Sequence, residues 1–105
     1  MFPASVGRTL TQVLVTWFDP ALVVPAGQMA RQLRAADLRV EMALDPEPLG
    51  RQLKYAGRKG IPIAVILGSD EVAAGAATVR QLALGEQKLV PQSDVVDAIR
   101  AWLPK

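Results

Sequence analysis

The stretch Leu49–Glu71, LGRQLKYAGRKGIPIAVILGSDE, decides the fold. At the helical repeat, Leu49, Leu53 and Ala56 fall on one side, and Arg51, Lys54, Tyr55 and Arg58 on the other. One helix therefore carries an apolar seam and a basic ridge with an aromatic tip. Gly57 and Gly60 are expected to end it, and Ile61-Pro62 to launch the next element. Ile63–Leu67 is short, nearly all apolar, rich in β-branching and bounded by Pro62 and Gly68, as a strand buried on both faces is. Gly68-Ser69-Asp70-Glu71 reads as a turn that sets a carboxylate at the end of a central strand, where α/β sheets bind ligands.

Upstream, Gln12–Phe18 (QVLVTWF) is β-branched and aromatic and reads as a strand. Asp19-Pro20 looks like a cap and first-turn proline. Leu22, Ala26, Met29, Ala30 and Leu33 keep helical spacing, but Pro25 would break a helix begun at Pro20. A short turn is therefore expected first, then a regular helix from about Pro25 to Ala36, with Arg31 and Arg34 facing water. Leu38–Leu44 (LRVEMAL) alternates like a half-exposed strand near an edge. Asp45-Pro46-Glu47-Pro48 is a stiff turn into the basic helix.

Downstream, Val72–Ala77 is small and glycine-punctuated. Thr78–Leu82 and Glu86–Val90 read as strands of a hairpin around Ala83–Gly85. Pro91-Gln92-Ser93-Asp94 should cap a last helix with Val95, Ile99, Trp102 and Leu103 as its seam. The order β-α-β-α-β-β-β-α predicts three parallel strands with right-handed crossovers and one later strand reversed by the hairpin. The expected architecture is an α/β fold, a three-layer α/β/α sandwich around a mixed five-stranded sheet with three main helices. Residues 1–11 read as a flexible lead-in or linker remnant and residues 12–105 as the domain.

With 105 residues, half of them hydrophobic, the chain is the size of one domain and can bury one core. Twelve Lys and Arg against ten Asp and Glu leave a net charge of only +2, so any basic site must be local. There is no Cys and no His, which excludes thiol catalysis, disulfides, Cys/His zinc sites and imidazole acid–base chemistry. Ser5, Ser69 and Ser93 therefore have no imidazole to activate them. The longest apolar run is too short to span a bilayer, and Met1–Thr11 lacks the pattern of a secretory signal. A soluble, cytoplasmic chain is expected.

Gly68-Ser69-Asp70-Glu71 is no phosphate loop. It lacks the bracketing glycines and the Lys-Ser/Thr pair, and its acids would repel phosphate. Asp70 and Glu71 lack the partners of an acid–base pair, and Asp70 suits a turn or cap. Trp17 and Trp102 read as core or rim anchors. A basic helical ridge is usually a solvated face, and Arg80 alone would be a surface-strand arginine. Tyr55 on the ridge suits stacking on an unpaired base.

The runs LRVEMAL, GRQLKYAGRKGIPIAVILGSDEVAAG and TVRQLALGEQKLV, followed by a final helix, resemble the C-terminal anticodon-binding domain of histidyl-tRNA synthetases, from Gln12 to about Leu103. The block G-S-D-E-V-A-A-G followed by T-V-R-Q-L-A-L-G-E-Q marks the histidyl branch. The pattern of an ion-bearing helix, I-P, an apolar strand and G-x-x-E is shared more widely among class IIa synthetases. The resemblance implies sheet order 2-1-3-4-5 with strand 4 antiparallel, and recognition of the GUG anticodon loop of tRNA-His. It implies Lys54, Glu71 and Arg80 as residues that reach the anticodon. The basic ridge itself adds Tyr55 for stacking and Arg58 for backbone electrostatics beside Lys54, with Arg51 as a weaker candidate. The histidyl branch often has Lys at the place of Arg80, which keeps the charge but loses the fork. The resemblance implies no cofactor in this domain. ATP, Mg²⁺ and the chemistry of a histidine--tRNA ligase belong to a separate catalytic domain, whose motifs are absent here, in a homodimeric parent. Pro25 departs from the family pattern. Two other readings stand beside this one: a regulatory or protein-interaction domain of a synthetase-like protein without charging activity, and a small α/β enzyme, which the missing His, Cys and phosphate-loop residues disfavour.

Overall fold

The computed structural model describes residues 11–43 and 47–103. The expected lead-in at residues 1–10, Leu44 of the second strand, Asp45-Pro46 of the following turn and the last two residues lie outside the described residues.

Strand β1 (Val13–Thr16) leads through a 3-10 turn (Pro20–Leu22) into helix α1 (Val23–Ala35). The Asp19 carboxylate accepts from the Ala21 amide at 2.9 Å and starts that turn. Pro25 falls in the first turn of α1, where its missing N–H removes no bond. Ala26, Met29, Ala30 and Leu33 form the buried face of α1. After Ala36 the chain reverses at Asp37, a non-glycine residue at φ 67°, and the Leu38 amide donates back to the Leu33 carbonyl. Strand β2 (Val40–Met42) follows and is shorter than the alternation implied.

Helix α2 (Leu49–Lys59) runs straight through Gly57, which does not end it. Gly60 does, at φ 78°, and the Ile61 amide bonds the Ala56 carbonyl. Strand β3 (Ile63–Ile66) is buried throughout. The expected turn at Ser69–Glu71 is the start of a short helix, α3 (Ser69–Ala73). One turn of helix is too short to show a period, so the sequence reads as a loop there. Strands β4 (Ala76–Gln81) and β5 (Glu86–Pro91) form the hairpin, and a 3-10 turn (Gln92–Asp94) enters α4 (Val95–Trp102). Asp94 stands at the start of α4 but makes no side-chain cap bond.

The sheet order is β2-β1-β3-β4-β5, with β4 antiparallel to β3 and β5. Alternation along the strands sends Val13, Val15, Ile63, Val65, Ala77 and Val79 into one core with α1 and α4. Leu14 goes to the other face, under Ala56 of α2 and Ile61 just past the helix. The three layers are thus α1 and α4, the sheet, and α2. On the α2 face burial falls off along the sheet, from Leu14 and Ala64, which are buried, to Arg80, which is half-buried, and Gln87, which is exposed.

Candidate nucleic-acid interface

Strand register lays Glu41, Leu14, Ala64, Arg80 and Gln87 in one row across the α2 side of the sheet. Glu41 and Arg80 are three strand spacings apart, about 14 Å. Helix α2 lies over Leu14 between them, so its ridge has two flanks that cannot meet the same nucleotide.

On the β2 flank, Arg51, Tyr55 and Arg58 line a cleft of about 590 Å³ together with Arg34 from α1, Glu41 and Glu47. The Tyr55 hydroxyl donates to Glu41 Oε1 at 2.7 Å, and the Thr11 hydroxyl donates to Oε2 at 2.8 Å. Lys59 lies 5.6 Å from the centre of the Tyr55 ring. Arg51 approaches Glu47 at 3.9 Å, a loose exposed pair. Arg34 donates to the Val40 carbonyl at 3.1 Å.

The Tyr55 hydrogen bond holds the Glu41 carboxyl below its ordinary pKa, against the opposing effect of burial and with help from Thr11 and Lys59. The same bond, then burial and the Glu41 charge, raise the Tyr55 phenol above its ordinary value. Glu41 is depressed, so its contribution to stability is present above the ordinary carboxyl range and is lost as pH falls through its lowered value. Tyr55 is raised, so its contribution is present below the ordinary phenol range and is lost as pH rises through its raised value. Tyr55→Phe is therefore expected to destabilise the fold at neutral pH by under about 1 kcal/mol, since both groups are largely solvated. Urea midpoints of the two proteins should converge in strong acid and in strong base.

On the other flank, Glu71 sits in the first turn of α3. Its Oε2 accepts from the Thr78 hydroxyl at 3.2 Å. Its Oε1 curls over Gly68, coming within 2.6 Å of where a methyl group there would begin. The tip of Phe18, 40% exposed, is 3.3 Å from that same point. Arg80 turns away from Glu71. Its Nη1 donates to Gln87 Oε1 at 2.9 Å, its Nη2 lies toward Gly85, and its buried Nε has no partner. No ion pair joins Arg80 and Glu71 among the described residues. Lys54 is exposed on the ridge.

The six residues expected to contact RNA are thus not one cluster. Arg51, Tyr55 and Arg58 share the β2 cleft, Glu71 sits at the top of β3, and Arg80 lies lower on β4. The sequence reading missed Thr78 on β4, which holds the acid of α3, and Gln87 on β5, which faces the Arg80 fork across the strands. Only the register, Arg80 against Gln87 and Ile66 against Thr78, brings them into view. It also missed Arg34, which reaches the cleft from a different helix, and Phe18, which it placed inside a strand. Trp17 is buried, and its indole donates to the Ala43 carbonyl at 2.6 Å. Trp102 is half-buried under Lys88, 4.7 Å from its ring. Both are anchors, as expected.

Residues 12–102 match the family model of the anticodon binding domain. The chain is 34% identical over 112 residues to a histidine--tRNA ligase of Caulobacter vibrioides, covering 90% of this chain and 23% of that protein. It is 42% identical over 110 residues to a histidine--tRNA ligase of Dinoroseobacter shibae, covering 89% of this chain and 22% of that one. The crystal structure of histidyl-tRNA synthetase from Nostoc sp. PCC 7120 superposes with a TM-score of 0.88 at 33% identity, over 91% of this chain and 23% of its own. The chain spans about a quarter or less of the length of each relative. It belongs to the anticodon-binding domain family, on its histidyl-tRNA synthetase branch.

Proposed function

We propose that this chain reads the anticodon loop of tRNA-His and positions that tRNA for charging by a separate catalytic domain of a cytoplasmic, homodimeric histidine--tRNA ligase. The observation that carries this reading is Glu71. Its carboxylate sits just past the C-terminal end of β3, held by a hydroxyl and not neutralised by any cation among the described residues. Such an acid would repel RNA phosphate, but it can accept from the ring N1–H and exocyclic amine of an unpaired guanine at once. Lys54, Arg51 and Arg58 supply backbone electrostatics from α2, Tyr55 offers a ring in the β2 cleft, and Arg80 can reach a neighbouring base with the part of its fork that Gln87 leaves open.

ATP and Mg²⁺ act in the parent's catalytic domain. Among the described residues no group of three His, Cys, Asp or Glu could hold a metal, and Gly68-Ser69-Asp70-Glu71 offers no phosphate cradle. No helix among the described residues is long and apolar enough to cross a membrane.

The test is the salt dependence of binding to an anticodon stem-loop. Lys54→Ala should weaken binding and reduce the slope of log affinity against log salt by about one unit. A fall in affinity at unchanged slope contradicts a phosphate role for Lys54.

A further inference from the structure

We propose that Phe18 is the stacking floor of a base pocket in the crevice between the C-terminal ends of β1 and β3, and that this pocket takes an unpaired purine whose N–H edge meets Glu71. The inference rests on the RNA reading above and adds to it a subsite and a residue.

Topology makes the crevice. β1 and β3 are neighbours, but the chain leaves β1 for β2 on one side of the sheet and leaves β3 for β4 on the other. The connecting helices α1 and α2 lie on opposite faces. The strand order reverses between β1 and β3, and open α/β sheets bind ligands at such switch points, outside the carboxyl ends of the strands.

Phe18 is placed to serve that crevice. It lies two residues past β1, and the core takes Trp17 and leaves Phe18 40% exposed. An aromatic ring left in water forgoes the burial that would stabilise the fold. Across the crevice Gly68 follows β3, and the Phe18 tip and the Glu71 carboxylate border the same point above it, 3.3 and 2.6 Å away. A Cβ at Gly68 would displace the Glu71 carboxylate and press on the Phe18 ring, so the glycine leaves room for both at this point. The pair divides the work of recognition. A ring face accepts any base by stacking. A carboxylate at its edge accepts only from a base with N–H donors on the facing edge, as guanine has. Lys54 stands on the adjoining helix for the phosphate.

The experiment titrates the chain with a fluorescent anticodon stem-loop carrying GUG, using wild type, Phe18→Ala, Phe18→Leu and Phe18→Tyr. Loss of one base–aromatic stack should weaken binding roughly 5- to 150-fold in the Ala variant. Leu should recover little and Tyr most of it, with thermal midpoints near wild type because the ring is already exposed. Wild-type affinity in Phe18→Ala overturns the inference. So does equal rescue by Leu and Tyr, which would mark an apolar cover. So does a fall in thermal midpoint that tracks the affinity loss, which would mark a structural role. If Glu71→Gln abolishes the preference for GUG while Phe18→Ala binds as wild type, this inference alone fails. If wild type shows no preference for GUG, the RNA reading fails and takes this inference with it.

Discussion

Replacing Glu71 by Gln is expected to keep the fold and to lose about 1–3 kcal/mol of preference for a guanine in the anticodon, the worth of a good bidentate base contact. The carboxylate accepts from Thr78 with one oxygen and curls over Gly68 with the other, and no cation among the described residues neutralises it. Both oxygens keep lone pairs for a ligand. Gln keeps the shape and one acceptor but turns the second into a donor, which faces a guanine donor. The competing role is local. Glu71 stands in the first turn of α3, where acids are favoured by the helix dipole. The two roles separate in measurement. Binding of wild-type and Glu71→Gln protein to stem-loops with and without anticodon guanines gives the discrimination, and thermal melting gives the stability. Lost stability with intact guanine preference would assign Glu71 to the helix start alone.

Gln52→Ala is expected to have the largest effect on stability. Gln52 is only 5% exposed, although it belongs to a charged helix. Its side chain accepts from the Trp17 amide at 3.2 Å and donates to the carbonyls of Trp17, at 2.8 Å, and Glu47. It thus closes the backbone just past the end of β1, where the sheet ladder has stopped, and ties α2 to it. Truncation leaves a buried amide and carbonyl unpaired and opens a cavity. Unpaired buried groups cost about 1–3 kcal/mol each, so a loss of about 2–4 kcal/mol is expected, or about 10–20 °C in a domain of this size. Gln52→Glu should not rescue it, because a carboxylate would face two carbonyls. Urea unfolding of the variants checks this, and a change within about 0.5 kcal/mol contradicts it.

Gln52 shows where sequence reading stops. Its position on the helical wheel lies beside Ala56, but in sequence only apolar residues mark a seam. A glutamine there looks like surface until the backbone it bonds is known. Gly57 misled for a related reason. A glycine that ends a helix and one that lies within it look alike, and only the left-handed φ of Gly60 marks the real stop. What was legible had strong local signals: the amphipathic α2, the doubly buried β3, the displaced start of α1 and the β4–β5 hairpin. The strand order came from the resemblance, since periodicity does not say which strands are neighbours. The site was legible as residue types and not as an arrangement. The ridge of α2 was visible, but its division into two flanks depends on the helix crossing over Leu14, which is tertiary. Thr78 and Gln87 could be paired with Glu71 and Arg80 only once the strand register was known.

The central claim is that RNA is read from the α2 side of the sheet, at the ends of β1 and β3. Amide chemical-shift mapping of the labelled chain, titrated with a GUG anticodon stem-loop, tests it most directly. The account predicts shifts at Phe18, Gly68 and Glu71, along Thr78–Gln81 and on the exposed ridge of α2, with α1 and α4 unmoved. Shifts confined to α1 and α4, or none at saturating RNA, would contradict it.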